Sequence, residues 1–250
     1  MGPEVSDPGA NLSLMHDAAG RQDVSEGTQS PQVSANKLGR YLTAAPGLRK
    51  QLIHNQKHPP DPRFLRYSAA THAITDFLCH GQDEARLRRH QYRLATSVYA
   101  DASAEHRARS CIDALEHYRV LHPTLELGGL LATSVGETPP PLHVAGVTVH
   151  VRPQVVLQRL DAHGARQVGL LKLYFSKHHP LDERSGQYIA TLLNAFAEQH
   201  LAPLGPLDSR RMLVVDVFAG RAYTAPRARA RRLSDVRHAC EEIAARWAVH

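Results

Sequence analysis

Apolar residues recur at helical spacing through the first half of the chain and then give way to short continuous runs. Helices are therefore expected first and strands later. Lys37 to Gln56 reads as a short helix, closed by the break Lys57-His58-Pro59-Pro60-Asp61-Pro62. Phe64, Tyr67, Ile74, Phe77 and Leu78 predict a second, amphipathic helix with Asp61-Pro62 as its start signal. Leu87, Leu94 and Val98 mark a narrower stripe among many arginines. Ala108, Cys111, Ile112, Leu115 and Tyr118 share one face of a helix from about Ser103 to Leu121, with Ser103 placed as N-cap.

The period changes after Pro123. Val144 to Val151 is a β-branched run that predicts a strand, broken by Arg152-Pro153 and followed by a second strand, Gln154 to Leu160. The turn sequence Asp161-Ala162-His163-Gly164 implies antiparallel pairing with the run Val168 to Phe175. That run is nearly continuously apolar, as in strands covered on both faces. Tyr188, Ile189, Leu192, Leu193 and Phe196 stripe a helix from Glu183 to His200, with Asp182 and Glu183 suited to its positive end. Arg211 to Phe218 reads as another buried strand, Ala219-Gly220 turns it towards Tyr223, and a last helix starts near Ser234.

Residues 1–35 are rich in Gly, Ser, Pro, Asp and Gln and almost lack aromatics, the signature of a segment that cannot offset its ordering entropy. The expected organisation is thus a disordered tail (1–35), a helical segment (36–100) and an α/β core (101–250). No apolar run approaches the ~20 residues of a membrane span. Met1 to Gly20 lacks the pattern of a secretory signal, and Met1-Gly2 fits a myristoylation pattern only formally. Cys79, Cys111 and Cys240 are widely separated and read as reduced, buried thiols. A cytoplasmic location is the expectation. The net charge of +6 points to an acidic partner, nucleic acid first. Yet 25 of the 30 basic residues are arginine, a bias that a GC-rich genome also produces.

From Ser103 to Phe218 the order helix, three antiparallel strands, helix, strand resembles the PD-(D/E)xK, or restriction-endonuclease-like, superfamily. That resemblance implies carboxylates holding Mg²⁺ beside a lysine that steadies the nucleophile or the developing charge. Pro153-Gln154 stands where Pro-Asp is expected, and Leu170-Leu171-Lys172 where (Asp/Glu)-x-Lys is expected. Lys172 matches, and Glu116 matches a helical glutamate, while Gln154 and Leu170 replace the two metal-binding acids. The segments Gly169 to Phe175 and Ala239-Cys240-Glu241-Glu242-Ile243 to Trp247 are similar to those of a group of uncharacterised bacterial proteins, which implies no activity.

Each candidate has a plain reading beside the functional one. Lys172, inside an apolar strand, is either a lysine at a partly open strand end or a site lysine. Asp216 pairs with an arginine or caps a neighbouring helix, or it lines a cleft with Lys172. Asp161 is a turn residue or a migrated metal ligand, and Glu116 a solvated helix residue or a site acid. Arg221, Arg227, Arg229, Arg231 and Arg232 either contact phosphates or form a solvated loop. The histidines show no zinc-site spacing, and no P-loop or Gly-x-Ser-x-Gly occurs.

Three functions stay open. The first is a non-catalytic nuclease-like domain that binds nucleic acid or a protein partner through a basic surface, without a cofactor. The second is a Mg²⁺-dependent (deoxy)ribonuclease with Glu116, Asp161 and Asp216 as ligands and Lys172 as catalytic lysine. The third is a structural or regulatory protein with no nucleic-acid role.

Overall fold

The computed structural model describes residues 30–57, 66–160, 164 and 166–249. In chain order its elements are β1 (Gln32–Ser34), α1 (Ala35–Thr43), α2 (Pro46–Lys57), α3 (Ser68–Cys79), α4 (Glu84–Thr96) and α5 (Ala102–Leu121). Then come β2 (Leu131–Ser134), β3 (Leu142–Val144), β4 (Val147–His150), β5 (Val155–Leu160), β6 (Arg166–Tyr174), α6 (Glu183–His200), β7 (Leu207–Asp216), β8 (Arg221–Tyr223) and α7 (Ala230–Val249). The fold is mixed α/β.

A five-stranded sheet, ordered β2-β5-β6-β7-β8, separates two apolar cores. Successive side chains of a strand point to opposite faces, and β6 at the centre is apolar on both. Leu170 and Tyr174 face α6 and α7, while Leu171 and Leu173 face α3 and α5. Full burial of a leucine stabilises by roughly 1.5–3 kcal/mol, and Leu170 and Leu171 are both completely covered. β5 pairs antiparallel with β6, as the turn sequence implies, and β7 runs parallel to β6 after the α6 crossover. The β6–β7 register shifts beside Gly169, where a Cβ would sit 2.7 Å from the Arg211 carbonyl oxygen. Only glycine lets the two backbones approach that closely.

Several expectations need correction. Val144 to Val151 is not one strand: Ala145 and Gly146 adopt left-handed φ values of 46° and 78° and turn it into the β3–β4 hairpin. With β1 parallel to β4, this hairpin makes a separate three-stranded sheet. The strand beside β5 is instead β2, which at four residues is too short, and is too polar, to stand out in the sequence. Gln32–Ser34, within the expected tail, pair with Thr148 to His150. Lys37 to Gln56 divides into α1 and α2 at Ala44-Ala45, because Pro46 starts a new helix. Asp101, not Ser103, caps α5, accepting from the Ala104 N–H at 2.7 Å. Helix α7 begins at Ala230, four residues before Ser234. The proposed start signal Asp61-Pro62 and Phe64 lie outside the described residues.

Other expectations hold. Asp182 caps α6 in a reciprocal box with Ser185. Cys79, Cys111 and Cys240 are free thiols, two buried and Cys79 half-buried. Among the described residues no helix is long and apolar enough to cross a membrane.

Candidate functional site

Lys172 alternates with Leu170 and Tyr174 and therefore enters the core facing α6, where it is 5% exposed. Its Nζ donates to the Arg152 carbonyl at 3.2 Å. Burial, with the Arg152 charge adding to it, pulls its pKa down to about 7. Desolvation disfavours an ammonium, and no carboxylate lies within ion-pair distance of it among the described residues.

Gln154 stands beside it for a backbone reason. Pro153 interrupts the strand, and the Gln154 side chain supplies the next acceptor: its Oε1 takes the Leu173 N–H at 2.5 Å. Its Nε2 donates to the Arg152 carbonyl at 3.1 Å. Lys172 and Gln154 thus converge on a peptide oxygen. Arg152 holds that oxygen in place with φ at 50°, the left-handed region that costs a residue with a Cβ about 1–2 kcal/mol.

Asp216 shares the α6-facing side of the sheet and is fully buried. Its Oδ2 accepts from the Leu181 N–H at 2.8 Å and its Oδ1 from the Ala219 N–H at 3.1 Å. Burial pushes its carboxyl above the ordinary range, and donors at Leu181, Ala219 and Phe218 pull it part of the way back. The aspartate ties the loop after β6 to the turn after β7. Tyr174 and Tyr223 reinforce the same loop through hydroxyls donated to the His179 and Leu181 carbonyls, each at 2.6 Å.

Glu116 is exposed on α5, which packs against the other face of the sheet. The sheet therefore stands between Glu116 and Lys172. Asp161 lies outside the described residues. Among the described residues, the donor set around Lys172 does not fit a Mg²⁺ site. Gln154 and Asp216 spend their oxygens on backbone N–H groups, Leu170 has no ligand atom, and Glu116 points elsewhere. Mg²⁺ requires near-octahedral oxygen ligands, usually including a free carboxylate.

The arginine cluster divides. Arg229 reaches Glu198 at 2.8 Å and Asn194 at 2.9 Å. Arg232 bonds to Gln187 and lies over the Tyr188 ring. Both fasten the start of α7 to α6. Arg221, Arg227 and Arg231 stay exposed without an ion pair among the described residues. Arg221 lines an open groove of about 390 Å³ with Ser176, Lys177, Pro180, Leu181, Phe218 and Ala219. That groove opens where the parallel strands β6 and β7 end, the usual ligand position in α/β sheets.

The first turn of α7 has no acidic residue but contains Arg231 and Arg232. Cations at the positive end of a helix are unfavourable, and a bound anion relieves the repulsion. One polar cluster escaped the sequence reading: Asp76 with His72, Arg86, Arg89, His90 and Arg93 on α3 and α4. Its signal was present as i, i+3, i+4, i+7 spacing in α4, concealed by the general abundance of arginine. Comparison with protein-family models and with curated proteins finds no match.

Proposed function

We propose that the chain is a non-catalytic, nuclease-like α/β protein of the cytoplasm that binds nucleic acid through its basic surface. The observation that carries this reading is that Arg221, Arg227 and Arg231 are exposed around β8 and the start of α7, without an ion pair among the described residues. Guanidinium groups on an extended segment match phosphate oxygens bidentately, and counterion release supplies the affinity. The order α5, β2, β5, β6, α6, β7, with an antiparallel β2-β5-β6 meander and parallel β7, supports the restriction-endonuclease-like resemblance. In that resemblance β2 takes the place first given to Val144 to Val151.

The test is fluorescence anisotropy of labelled single- and double-stranded oligonucleotides with the full chain. Replacing Arg221, Arg227 and Arg231 together by Gln should weaken binding at least about 100-fold, from roughly 1 kcal/mol or more per charge-assisted contact. Unchanged affinity would contradict the proposal. The Mg²⁺-dependent nuclease draws no specific support from the geometry. Metal-dependent cleavage lost in Lys172→Ala would restore it.

A further inference from the structure

Helix α3 places His72 and Asp76 at i and i+4 on one stripe, and His80 is its C-cap. Helix α4 places Arg86, Arg89, His90 and Arg93 at i, i+3, i+4 and i+7, also on one stripe. His72, Asp76 and the four α4 residues line an open pocket of about 320 Å³.

One carboxylate organises the wall. Asp76 Oδ1 accepts from Arg86 Nη1 at 3.2 Å and its Oδ2 bonds to His90 Nε2 at 3.0 Å, while His80 Nδ1 bonds to the Asp76 backbone carbonyl at 2.8 Å and lies 3.0 Å from Oδ1. Partial burial pushes the Asp76 carboxyl up, but the His90 hydrogen bond and the Arg86 and His80 charges outweigh it and hold it below its ordinary value. His90 in turn presents Nδ1 to Arg93 Nη2 at 2.8 Å. The chain Arg93–His90–Asp76–Arg86 fixes two guanidinium groups in place. Arg89 is exposed and has no partner among the described residues.

Three arginines against one carboxylate leave a charge of +2 in the pocket with the histidines neutral. A structural ion-pair network would bring its charges nearer to balance. Here the excess consists of planar donors directed into one concavity, and its complement is a compact dianion with several acceptor oxygens.

We infer that the α3–α4 pocket is a binding site for a phosphate monoester or inorganic phosphate, with Arg89 and Arg93 as the principal contacts. The site stands independently of the arginines around β8 and α7. Its ligand is either a free phosphate or the terminal phosphate of a nucleic acid.

Isothermal titration of the full chain with inorganic phosphate, against chloride at matched ionic strength, tests it. The expected result is saturable one-site binding, weakened about tenfold by Arg89→Gln, an amount typical of one charge-assisted contact. Because Arg89 is exposed and has no partner among the described residues, this variant should keep its fold, which circular dichroism checks. Arg88→Gln is the control, since Arg88 pairs with Glu84 on the same helix outside the pocket; its affinity should match the wild type. Absence of saturable phosphate binding overturns the inference, as does equal weakening by both variants. Oligonucleotides with a 5′-phosphate or a 5′-hydroxyl separate the sources. Competition with inorganic phosphate only by the phosphorylated form assigns a nucleic-acid end, and competition by neither assigns the free ion.

Discussion

Replacing Lys172 by Met should remove a pH dependence that a single buried amine imposes on the whole fold. The lysine has an ordinary pKa of 10.5 and is drawn down to about 7 in the folded chain. At ~1.4 kcal/mol per tenfold change in proton affinity, that displacement corresponds to roughly 5 kcal/mol between the charged and neutral forms. Between the two values the unfolded chain holds a proton that the folded chain has released. Stability therefore rises with pH across this window.

The useful part of the window is narrow. His122, His150 and His200 are held below their ordinary value of 6.5 and act at lower pH. The thiols of Cys79 and Cys240 are pushed up from 9.0, to about 11 and about 12. They lower stability as pH rises beyond their ordinary value, because the unfolded chain then loses its protons first. From pH 7 to about 8.5 Lys172 should dominate, adding about 1–2 kcal/mol to wild-type stability by the linkage relation. Urea unfolding of both proteins at several pH values across this interval measures it. Lys172→Met should lose most of the rise, keeping only what Lys37, also held below its ordinary value by burial, contributes, and should be at least as stable as wild type at pH 7, since methionine fills similar volume without an amine to desolvate. A wild type whose stability is flat or falls over this interval, or a variant with the same rise, would refute the reasoning.

Two further stability predictions concern the loop between β6 and α6 and the groups that hold it. Asp216→Ala orphans the Leu181 and Ala219 N–H groups and should cost about 3 kcal/mol, whereas Asp216→Asn keeps one acceptor and should cost about half that; urea midpoints distinguish them, and equal losses would contradict the assignment. Gly186→Ala would place a Cβ 2.4 Å from the Tyr223 ring, while the Tyr223 hydroxyl is held at the Leu181 carbonyl. The ring cannot yield without losing that bond, so a destabilisation of about 1–3 kcal/mol is expected in thermal unfolding.

The strongly patterned elements were legible because burial alone determines them. The apolar run Val168 to Phe175 and the stripe of α6 needed only one or two cores to satisfy, and both occupy those positions. β2 was hidden because Leu131–Ser134 is an edge strand with little apolar content, defined by its pairing with β5 rather than by pattern. The Val144 to Val151 run misled because β-branched propensity does not reveal the left-handed turn at Ala145-Gly146.

At the site, the resemblance set Gln154 and Lys172 in one frame, and both side chains donate to the Arg152 carbonyl. Periodicity could not disclose that a carbonyl held by the left-handed Arg152 lies between them. Nor could it tell which arginines are occupied, since Arg229 and Arg232 find their partners on α6, more than thirty residues away in sequence.

The central claim is most directly tested by the salt dependence of nucleic-acid affinity in the wild type and in the Arg221, Arg227 and Arg231 triple Gln variant. Each phosphate contact contributes about 0.7–0.9 to the slope of log affinity against log salt. If the three arginines contact phosphates, the wild-type slope should exceed that of the variant by about 2–3. Equal slopes, or no salt-dependent binding by the wild type, would contradict the account.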